Sequence, residues 1–286
     1  MTLSVIILSK TISDTIFDTT MNCIRSLQDS ENFKNNNLEI LLIESNADYS
    51  ESYSYPKEVK VIIPAEEFGF HKFLNIGIKA AKNEFIALCN NDLIFNENWF
   101  SEIIKVAERR KDILSFSPID PRNELGKFKG DFLEGYKVTQ QIKGWCLVCK
   151  RELFNIYGLL DDKFKFYYSD NDYALSLLFY NIKHVVVTNS KVVHLHKVTT
   201  KDVSNNKDAF FEEISVDVKV PKYLYHKNLR WILSDKRVLF DHLTYYKKWG
   251  NPNSTYRISR YALKLNKLHL NIVTKALFLC KRIFKV

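Results

Sequence analysis

Short apolar runs alternate with segments of helical periodicity over the first 120 residues of the chain. The runs have the length and the β-branched content of buried strands, and the segments between them place apolar residues three and four apart, as in a helix with one buried face. The predicted strands cover residues 3–9, 38–43, 59–65, 85–89 and 113–119. The predicted helices cover residues 19–30, 70–84 and 96–112, the last capped by Asn96. This alternation predicts an α/β fold with a mostly parallel, twisted sheet covered on both faces.

The second half of the chain continues this pattern less regularly. A strand over 144–150, a short helix from Arg151 and a turn at Gly158 precede an apolar helix over 173–179. The segment 184–197 is either one long strand or a strand pair. Because side chains alternate along a strand, His194 and His196 should lie on one face of it.

Polar residues follow two of the predicted strands at the point where each strand ends. Glu44 and Asn46 close the second strand, and Asn90, Asn91 and Asp92 close the fourth. Asn and Asp also favour simple surface turns. However, ligands of open α/β sheets bind outside the carboxyl ends of the strands, and two polar strand ends at that edge favour a binding site.

Three groups of residues have suitable chemistry for such a site. The Asp92 carboxylate could hold Mg²⁺ or Mn²⁺ against a diphosphate, because hard cations prefer oxygen ligands. Asp170 and Asp172 begin a helix, where one acid is explained by capping or by the helix dipole, and the other could serve as a general base toward a hydroxyl group. His194 and His196 could supply a metal ligand, although a histidine on a strand is more often structural.

Composition narrows the class of protein. The content of 46% hydrophobic and 26% charged residues is that of a globular protein. The chain shows neither a signal peptide nor a membrane-spanning run, which predicts a cytoplasmic location. Five scattered cysteines predict free thiols in a reducing compartment, with Cys146 and Cys149 buried.

Positive charge is concentrated at the end of the chain. Residues 221–286 contain 15 Lys and Arg against two acids, which is +13, whereas residues 1–220 carry 27 basic and 31 acidic residues, which is −4. We expect a catalytic domain over 1–220 and a basic, aromatic helical appendage over 221–286. Such helices suit an anionic membrane surface. The alternatives are an ordinary helical subdomain, and a nucleic-acid-binding protein with a non-catalytic α/β body.

The order of these features resembles the inverting family 2 glycosyltransferases of the GT-A fold, in the rhamnosyltransferase-like branch. The resemblance covers residues 2–197. It is carried by the segments "LSVIILS", "CIRSL", "LLIESN", "FLNIGIKAAKNEFIALCNND", "GWCLVCKRELFNIYGLLDDKFKFYYSDNDYAL" and "SKVVHLH".

This resemblance implies a metal-dependent hexosyltransferase that uses a UDP-, dTDP- or GDP-sugar and a glycan or lipid-linked acceptor in bacterial surface polysaccharide assembly. It would be cytoplasmic or peripheral on the inner membrane, with no nucleic-acid partner. The resemblance assigns Asp170 as the base, and Asp92 and His194 to a Mn²⁺ or Mg²⁺ ion. The other implied site residues are Glu44, Asn46, Lys72, Asn90, Asn91, Gly144 and Trp145 for the nucleotide and donor, and Asp172 and His196 for the acceptor or a secondary role.

The chain departs from the family pattern at the centre of these motifs. Asn90 stands where the first Asp of the metal motif is usual, so Asp92 must carry most of the metal binding. Ser169 replaces the usual Glu before the base, and the following "YALSLL" lacks the usual Arg.

Overall fold

A computed structural model describes residues 2–33, 37–195, 220–226 and 229–284 of the chain, so that His196 lies outside the described residues. The strands are β1 (Leu3–Ser9), β2 (Leu38–Glu44), β3 (Val59–Ile62), β4 (Phe85–Asn90), β5 (Leu93–Phe95), β6 (Ile113–Ile119), β7 (Phe132–Glu134), β8 (Cys146–Lys150) and β9 (Lys183–His194). The helices are α1 (Asp14–Asp29), α2 (Phe70–Ala80), α3 (Trp99–Arg109), α4 (Pro121–Glu124), α5 (Glu152–Tyr157), α6 (Ser169–Phe179), α7 (Arg230–Ser234), α8 (Lys236–Trp249), α9 (Pro252–Lys267) and α10 (Asn271–Phe284).

The nine strands form one mixed sheet. Its order is β3-β2-β1-β4-β8-β6-β9-β5, and β7 also pairs with β9. The strands β1 to β4 are mutually parallel, and β6 is parallel to β9, whereas β8, β5 and β7 run antiparallel to their neighbours. The expected α/β architecture with a mostly parallel sheet and flanking helices is confirmed.

Both faces of the sheet are covered by helices, which explains the continuous apolar runs of its central strands. Along β1, Leu3, Val5 and Ile7 enter a core formed with α1 and α3, whereas Ile6 enters the opposite core with α2, α5 and α6. All four of these side chains are fully buried. Cys146 and Cys149 are buried free thiols, as expected.

Several details differ from the sequence expectations. Helix α1 begins at Asp14, earlier than expected, because the hydroxyl of Ser13 accepts a hydrogen bond from the Ile16 amide. Helix α3 follows Asn98, which has a left-handed backbone, so Asn96 is not its cap. The segment after residue 183 forms one long strand, β9. The short strands β5 and β7 were not predicted, because three residues carry too little periodicity.

The C-terminal helices pack on α6. Tyr245 and Trp249 of α8, Ala262 of α9 and Phe278 of α10 form a buried cluster with Leu175 and neighbouring residues of α6. The appendage is therefore anchored to the sheet through this helix. No helix among the described residues has the length and apolar content required to cross a bilayer.

Gly77 allows α2 to approach β1 closely. A Cβ atom at this position would lie 2.4 Å from Ile6 Cγ2. We predict that Gly77→Ala lowers the free energy of unfolding by about 1–3 kcal/mol, because the packed core has no space for the methyl group. Urea denaturation measures this change. A double-mutant cycle with Ile6→Ala tests the cause. The Gly77→Ala/Ile6→Ala variant should be more stable than the sum of the two single effects predicts. Additive effects would show that the close approach is not the cause.

Candidate active site

The turn between β4 and β5 brings Asp92 to the end of β9. Asp92 is buried, and its Oδ1 atom lies 3.2 Å from Nε2 of His194. The amide of Leu195 donates a hydrogen bond to the Asp92 carbonyl at 2.9 Å, which continues the pairing of β5 with β9. The guanidinium of Arg122, itself paired with Asp120, donates to the carbonyl of His194. Two strands and the short helix α4 therefore fix the carboxylate beside the imidazole.

Trp145 connects the Asp92–His194 pair to Asp170, the predicted general base. Its indole stacks on the His194 ring, with centroids 5.2 Å apart and planes 19° from parallel. Its carbonyl accepts a hydrogen bond from the Asn90 amide at 3.0 Å. The preceding residue, Gly144, lies directly against the carboxylate of Asp170: a Cβ atom on Gly144 would be 1.9 Å from Asp170 Oδ1. A continuous series of contacts thus runs from Asp92 through His194, Trp145 and Gly144 to Asp170.

The environment of Asp170 favours a proton-accepting role near neutral pH. Asp170 lies in the first turn of α6, but neither it nor Asp172 caps this helix, because Tyr168 occupies the cap position with a left-handed backbone. Loss of water around the carboxyl group raises the pKa of Asp170 to about 6. A carboxylate with such a pKa is ionised at neutral pH and is more basic than an exposed one.

Buried hydrogen bonds fix the inner side of α6 to the sheet. The Tyr173 hydroxyl lies 2.7 Å from Ser115 Oγ, which lies 2.7 Å from His184 Nδ1. Burial lowers the pKa of His184 to about 4, so this imidazole is neutral at pH 7. The network therefore holds the helix without burying a net charge.

Helix α8 fixes the segment that leads into α6. The buried carboxylate of Asp241 accepts backbone N–H groups from residues 165, 166 and 167, at 2.8, 2.9 and 2.7 Å. The neighbouring His242 places Nδ1 2.7 Å from the Tyr168 hydroxyl. The residues immediately before Asp170 are thus held by a helix from the basic C-terminal region.

Glu44 and Asn46 lie at the same edge of the sheet but are engaged with the protein itself. The fully buried Glu44 accepts hydrogen bonds from the Thr11 amide at 3.0 Å, the Thr11 hydroxyl at 2.7 Å and the Asn46 amide at 2.8 Å. Asn46 donates its side-chain amide to the Thr11 carbonyl at 2.5 Å. These bonds tie together the loops that follow β1 and β2, and contact of either residue with a nucleoside stays a prediction.

The remaining predicted donor residues have different surroundings. Asn91 is buried and donates to Thr20 Oγ1 of α1 at 2.9 Å, so it braces the turn that carries Asp92. The side chain of Asn90 is half-buried at the strand end. Lys72, on α2, donates to the Glu67 carbonyl at 3.3 Å. None of the contacts described for Lys72 joins it to Asp92 or Asp170.

Asp172 is separated from the cleft by its burial. It is fully buried, and its Oδ1 atom accepts from Lys248 Nζ at 2.7 Å and from Trp249 Nε1 at 2.6 Å. Burial raises the pKa of this carboxyl, against the opposing effect of Lys248. Its contacts are those of a residue that joins α6 to α8, and a contact of Asp172 with the acceptor stays a prediction.

The Asp92–His194 pair fits a divalent cation that substrate oxygens help to bind. Apart from its contact with His194, the buried Asp92 Oδ1 receives no hydrogen bond from the described residues. Among those residues, no group of three or more His, Cys, Asp and Glu side chains could hold a metal ion. Mg²⁺ commonly takes one or two protein carboxylates together with substrate phosphates and water, and imidazole suits several first-row metals. One carboxylate oxygen and one imidazole nitrogen are therefore an incomplete but suitable donor set.

Sequence reasoning missed the residues that position the site from outside its motifs, namely Thr11, Arg122 and Asp241. One signal for Asp241 was available. It is one of only two acids in the last 66 residues, and an isolated acid in a basic segment is a candidate for a buried structural role. Thr11 lies in a loop and Arg122 in the four-residue helix α4, and neither segment is long enough to show a periodicity.

Comparison with known proteins assigns the chain to a family. Residues 13–158, just over half of the chain, match the model of glycosyl transferase family 2. The protein belongs to this family. No curated protein matches the chain in sequence.

A solved structure shares the fold. GalNAc-T7, crystallised with UDP, GalNAc and Mn²⁺, superimposes with a TM-score of 0.55 at 17% identity, over 68% of this chain and 44% of that one. The protein thus has a GT-A-like fold. S. aureus TarS 1-349 in complex with UDP-GlcNAc gives a TM-score of 0.49 at 13% identity, over 67% of this chain and 57% of that one. The chain spans about half the length of each of these two chains. The rhamnosyltransferase-like branch stays a prediction.

The raised pKa of Asp170 predicts a pH-dependent stability difference. Because the folded pKa exceeds that of an unfolded Asp, the wild type loses stability as pH rises from about 4 through about 6. We expect Asp170→Asn, which cannot ionise, to gain stability relative to the wild type over this interval and to keep a constant difference above it. Urea denaturation at a series of pH values measures this.

Asp112 provides the opposite case as a control. Its ion pairs with Arg110 and Lys183 lower the pKa of the Asp112 carboxyl. Asp112→Asn should therefore be destabilising at neutral pH, with a difference that shrinks in acid. A pH-independent difference for Asp170→Asn would contradict the assigned desolvation.

Proposed function

We propose that this protein transfers a hexosyl group from a nucleotide-diphosphate sugar to a hydroxyl group of an acceptor, with inversion at the anomeric carbon. The observation that carries the proposal is the series of contacts from Asp92 to Asp170 in a chain of glycosyl transferase family 2. Asp92 and His194 lie on one side of Gly144 and Trp145, and Asp170 lies on the other, which supports a cation-binding pair and a proton acceptor at the two ends. Both are required where a diphosphate leaves and a hydroxyl attacks.

Asp170 acts as the general base in this proposal. Its carboxylate accepts the proton of the acceptor hydroxyl as that oxygen forms a bond to the anomeric carbon. The bond between the anomeric carbon and the diphosphate oxygen breaks on the opposite face, and the nucleoside diphosphate leaves with the electron pair. The flat Gly144 backbone and the Trp145 ring lie between the two ends and supply the surface against which the sugar is oriented.

Asp92 and His194 would hold a divalent cation, Mn²⁺ or Mg²⁺, beside the diphosphate. Such a cation, when bound, neutralises negative charge that develops on the leaving group. The buried position of Asp92 and its bracing by the Asn91–Thr20 hydrogen bond keep the carboxylate fixed before the substrate arrives. The network of Glu44, Thr11 and Asn46 shapes the edge of the sheet at which the nucleoside would lie.

The donor is proposed from the comparison with GalNAc-T7, and the acceptor is proposed from the family resemblance of the sequence. UDP-sugars are the first donors to test, because GalNAc-T7 was crystallised with UDP, and dTDP- and GDP-sugars are the alternatives. The acceptor in this proposal is a glycan or a lipid-linked glycan of bacterial surface polysaccharide assembly. Residues 1–220 carry the chemistry, and residues 221–286 bring the enzyme to the cytoplasmic face of the inner membrane.

Removal of the base should stop transfer without affecting donor binding. We expect Asp170→Asn to lower kcat by about 10²-fold or more, since general-base catalysis contributes about 10²–10⁴-fold. Gly144→Ala should have a similar effect, because its Cβ would displace the Asp170 carboxylate. Release of nucleoside diphosphate in the presence of acceptor measures turnover, and calorimetry measures donor affinity. Asp112→Asn, far from the cleft contacts, serves as the control, and wild-type turnover in Asp170→Asn would remove Asp170 from this role.

Metal-dependent donor binding should depend on Asp92 and His194. We expect a panel of UDP-, dTDP- and GDP-sugars to raise the Tm with one nucleotide only, and only when Mn²⁺ or Mg²⁺ is present. Asp92→Asn and His194→Ala should each remove most of this shift, whereas the exposed pair Arg109→Gln and Asp131→Asn should retain it. An equal shift in Asp92→Asn and the wild type would exclude Asp92 as a metal ligand.

A further inference from the structure

Helix α10 presents an apolar face to solvent. Its buried residues, Thr274, Phe278 and Lys281, point to the protein. A helix turns by about 100° per residue. The exposed apolar residues of α10 between positions 271 and 281 therefore lie in a single arc of roughly 160° on the other side of the helix. These residues are Ile272, Val273, Ala276, Leu277, Leu279 and Cys280. Ile272 is 85% exposed. The described part of the chain thus covers one side of α10 and leaves the other, which is also apolar, to another partner.

The turn before α10 extends this apolar surface. Leu268 is 67% exposed, and Leu270 is also exposed on the other side of His269. We name the exposed apolar residues of 268–280 the outer apolar surface. It exceeds the scattered apolar side chains that are normal on a soluble protein, and contiguous patches of this kind mark interaction sites.

Helix α9, next to this surface, is basic and aromatic on its exposed side. Arg257, Arg260, Lys264 and Lys267 are exposed, together with Tyr256 and Tyr261. Residues 242–286 contain ten Lys and Arg and no Asp or Glu. The cations therefore have no acidic neighbours in this segment, and they favour an anionic partner.

The hairpin of α9 and α10 is held in place by polar contacts. Asn266 donates to the Leu178 carbonyl of α6 at 2.9 Å and accepts from the Thr274 hydroxyl at 2.7 Å. The buried ammonium of Lys281 donates to the Asn251 carbonyl at 3.0 Å. The exposed surface is therefore fixed relative to α6, the helix that begins with Asp170.

We propose that this hairpin docks the protein on an anionic lipid bilayer, with the outer apolar surface at the boundary between headgroups and acyl chains and the cations of α9 among the headgroups. Amphipathic segments with aliphatic, Tyr and Lys or Arg residues bind this region of a membrane. The inference deepens the membrane association proposed above by assigning its contact surface, and it is independent of the sugar-transfer chemistry.

Two other occupants fit the surface less well. A second copy of the chain would bring together two α9 surfaces that each expose four cations, Arg257, Arg260, Lys264 and Lys267. A nucleic acid would match the charge but would leave Ile272, Leu277 and Leu279 without an apolar partner. A bilayer with anionic lipids satisfies both the charge and the apolar face.

Flotation of the full chain with vesicles tests the proposal. We expect binding to phosphatidylcholine vesicles that contain phosphatidylglycerol, weak binding to phosphatidylcholine alone, and a loss of affinity as salt increases. Ile272→Asp should lower the affinity on the order of tenfold. The combined Arg260→Gln and Lys264→Gln variant should lower it about fivefold per charge removed.

Matched variants elsewhere on the surface provide the controls. Leu125→Asp changes a leucine outside the hairpin that is 66% exposed, and Lys57→Gln with Lys79→Gln removes two exposed charges outside it. Both variants should bind vesicles as the wild type does. The Tm shift with donor and metal should persist in Ile272→Asp, which separates a failure of docking from a failure of the proposed transferase activity.

Three results would overturn the docking proposal. The first is equal flotation of Ile272→Asp and the wild type with anionic vesicles. The second is a wild-type dimer in sedimentation analysis that dissociates in Ile272→Asp, because the surface would then bind a second copy. The third is binding to a nucleic-acid duplex that competes with vesicles and is insensitive to Ile272→Asp.

Discussion

The contact between the Gly144 backbone and the Asp170 carboxylate is the constraint on which the rest of the site depends. It brings the first turn of α6 against the start of β8, and β8 is hydrogen-bonded to β4, the strand that ends two residues before Asp92. Burial of the carboxyl group raises the pKa of Asp170 to about 6. A side chain at position 144 would displace this carboxylate, since a Cβ atom there would lie 1.9 Å from Asp170 Oδ1.

Maintaining this contact requires support from both sides of α6. On the sheet side, Tyr173 reaches Ser115 through a neutral network that adds no buried charge. On the side that faces the C-terminal helices, Asp241 accepts hydrogen bonds from three backbone amides of residues 165–167. On the same side, Asp172 binds Lys248 and Trp249. The C-terminal helices thus act on the site through hydrogen bonds, in addition to any role at a membrane.

The sequence predicted the sheet well because its central strands are buried on both faces and read as uninterrupted apolar runs. It also predicted the strand-end residues Asp92 and Asn91, since polar residues directly after such runs are conspicuous. It could not separate their roles: Asn91 turns inward to Thr20, whereas Asp92 meets His194, and only the three-dimensional path of α1 decides this. Asp172 resembled Asp170 in sequence, but the two residues between their positions turn the helix by about half a turn, and Asp172 faces Trp249 instead. Periodicity gives the face of a helix, not the element that later covers that face.

The limits of the family match have a practical consequence for handling this protein. The matched segment, residues 13–158, contains Asp92, Gly144 and Trp145 but ends before Asp170, β9 and every helix that supports them. A fragment limited to residues 13–158 would lack Asp170. It would also expose the apolar face of the sheet that α6 covers in the full chain. Such a fragment should aggregate when expressed, because it exposes a contiguous apolar surface.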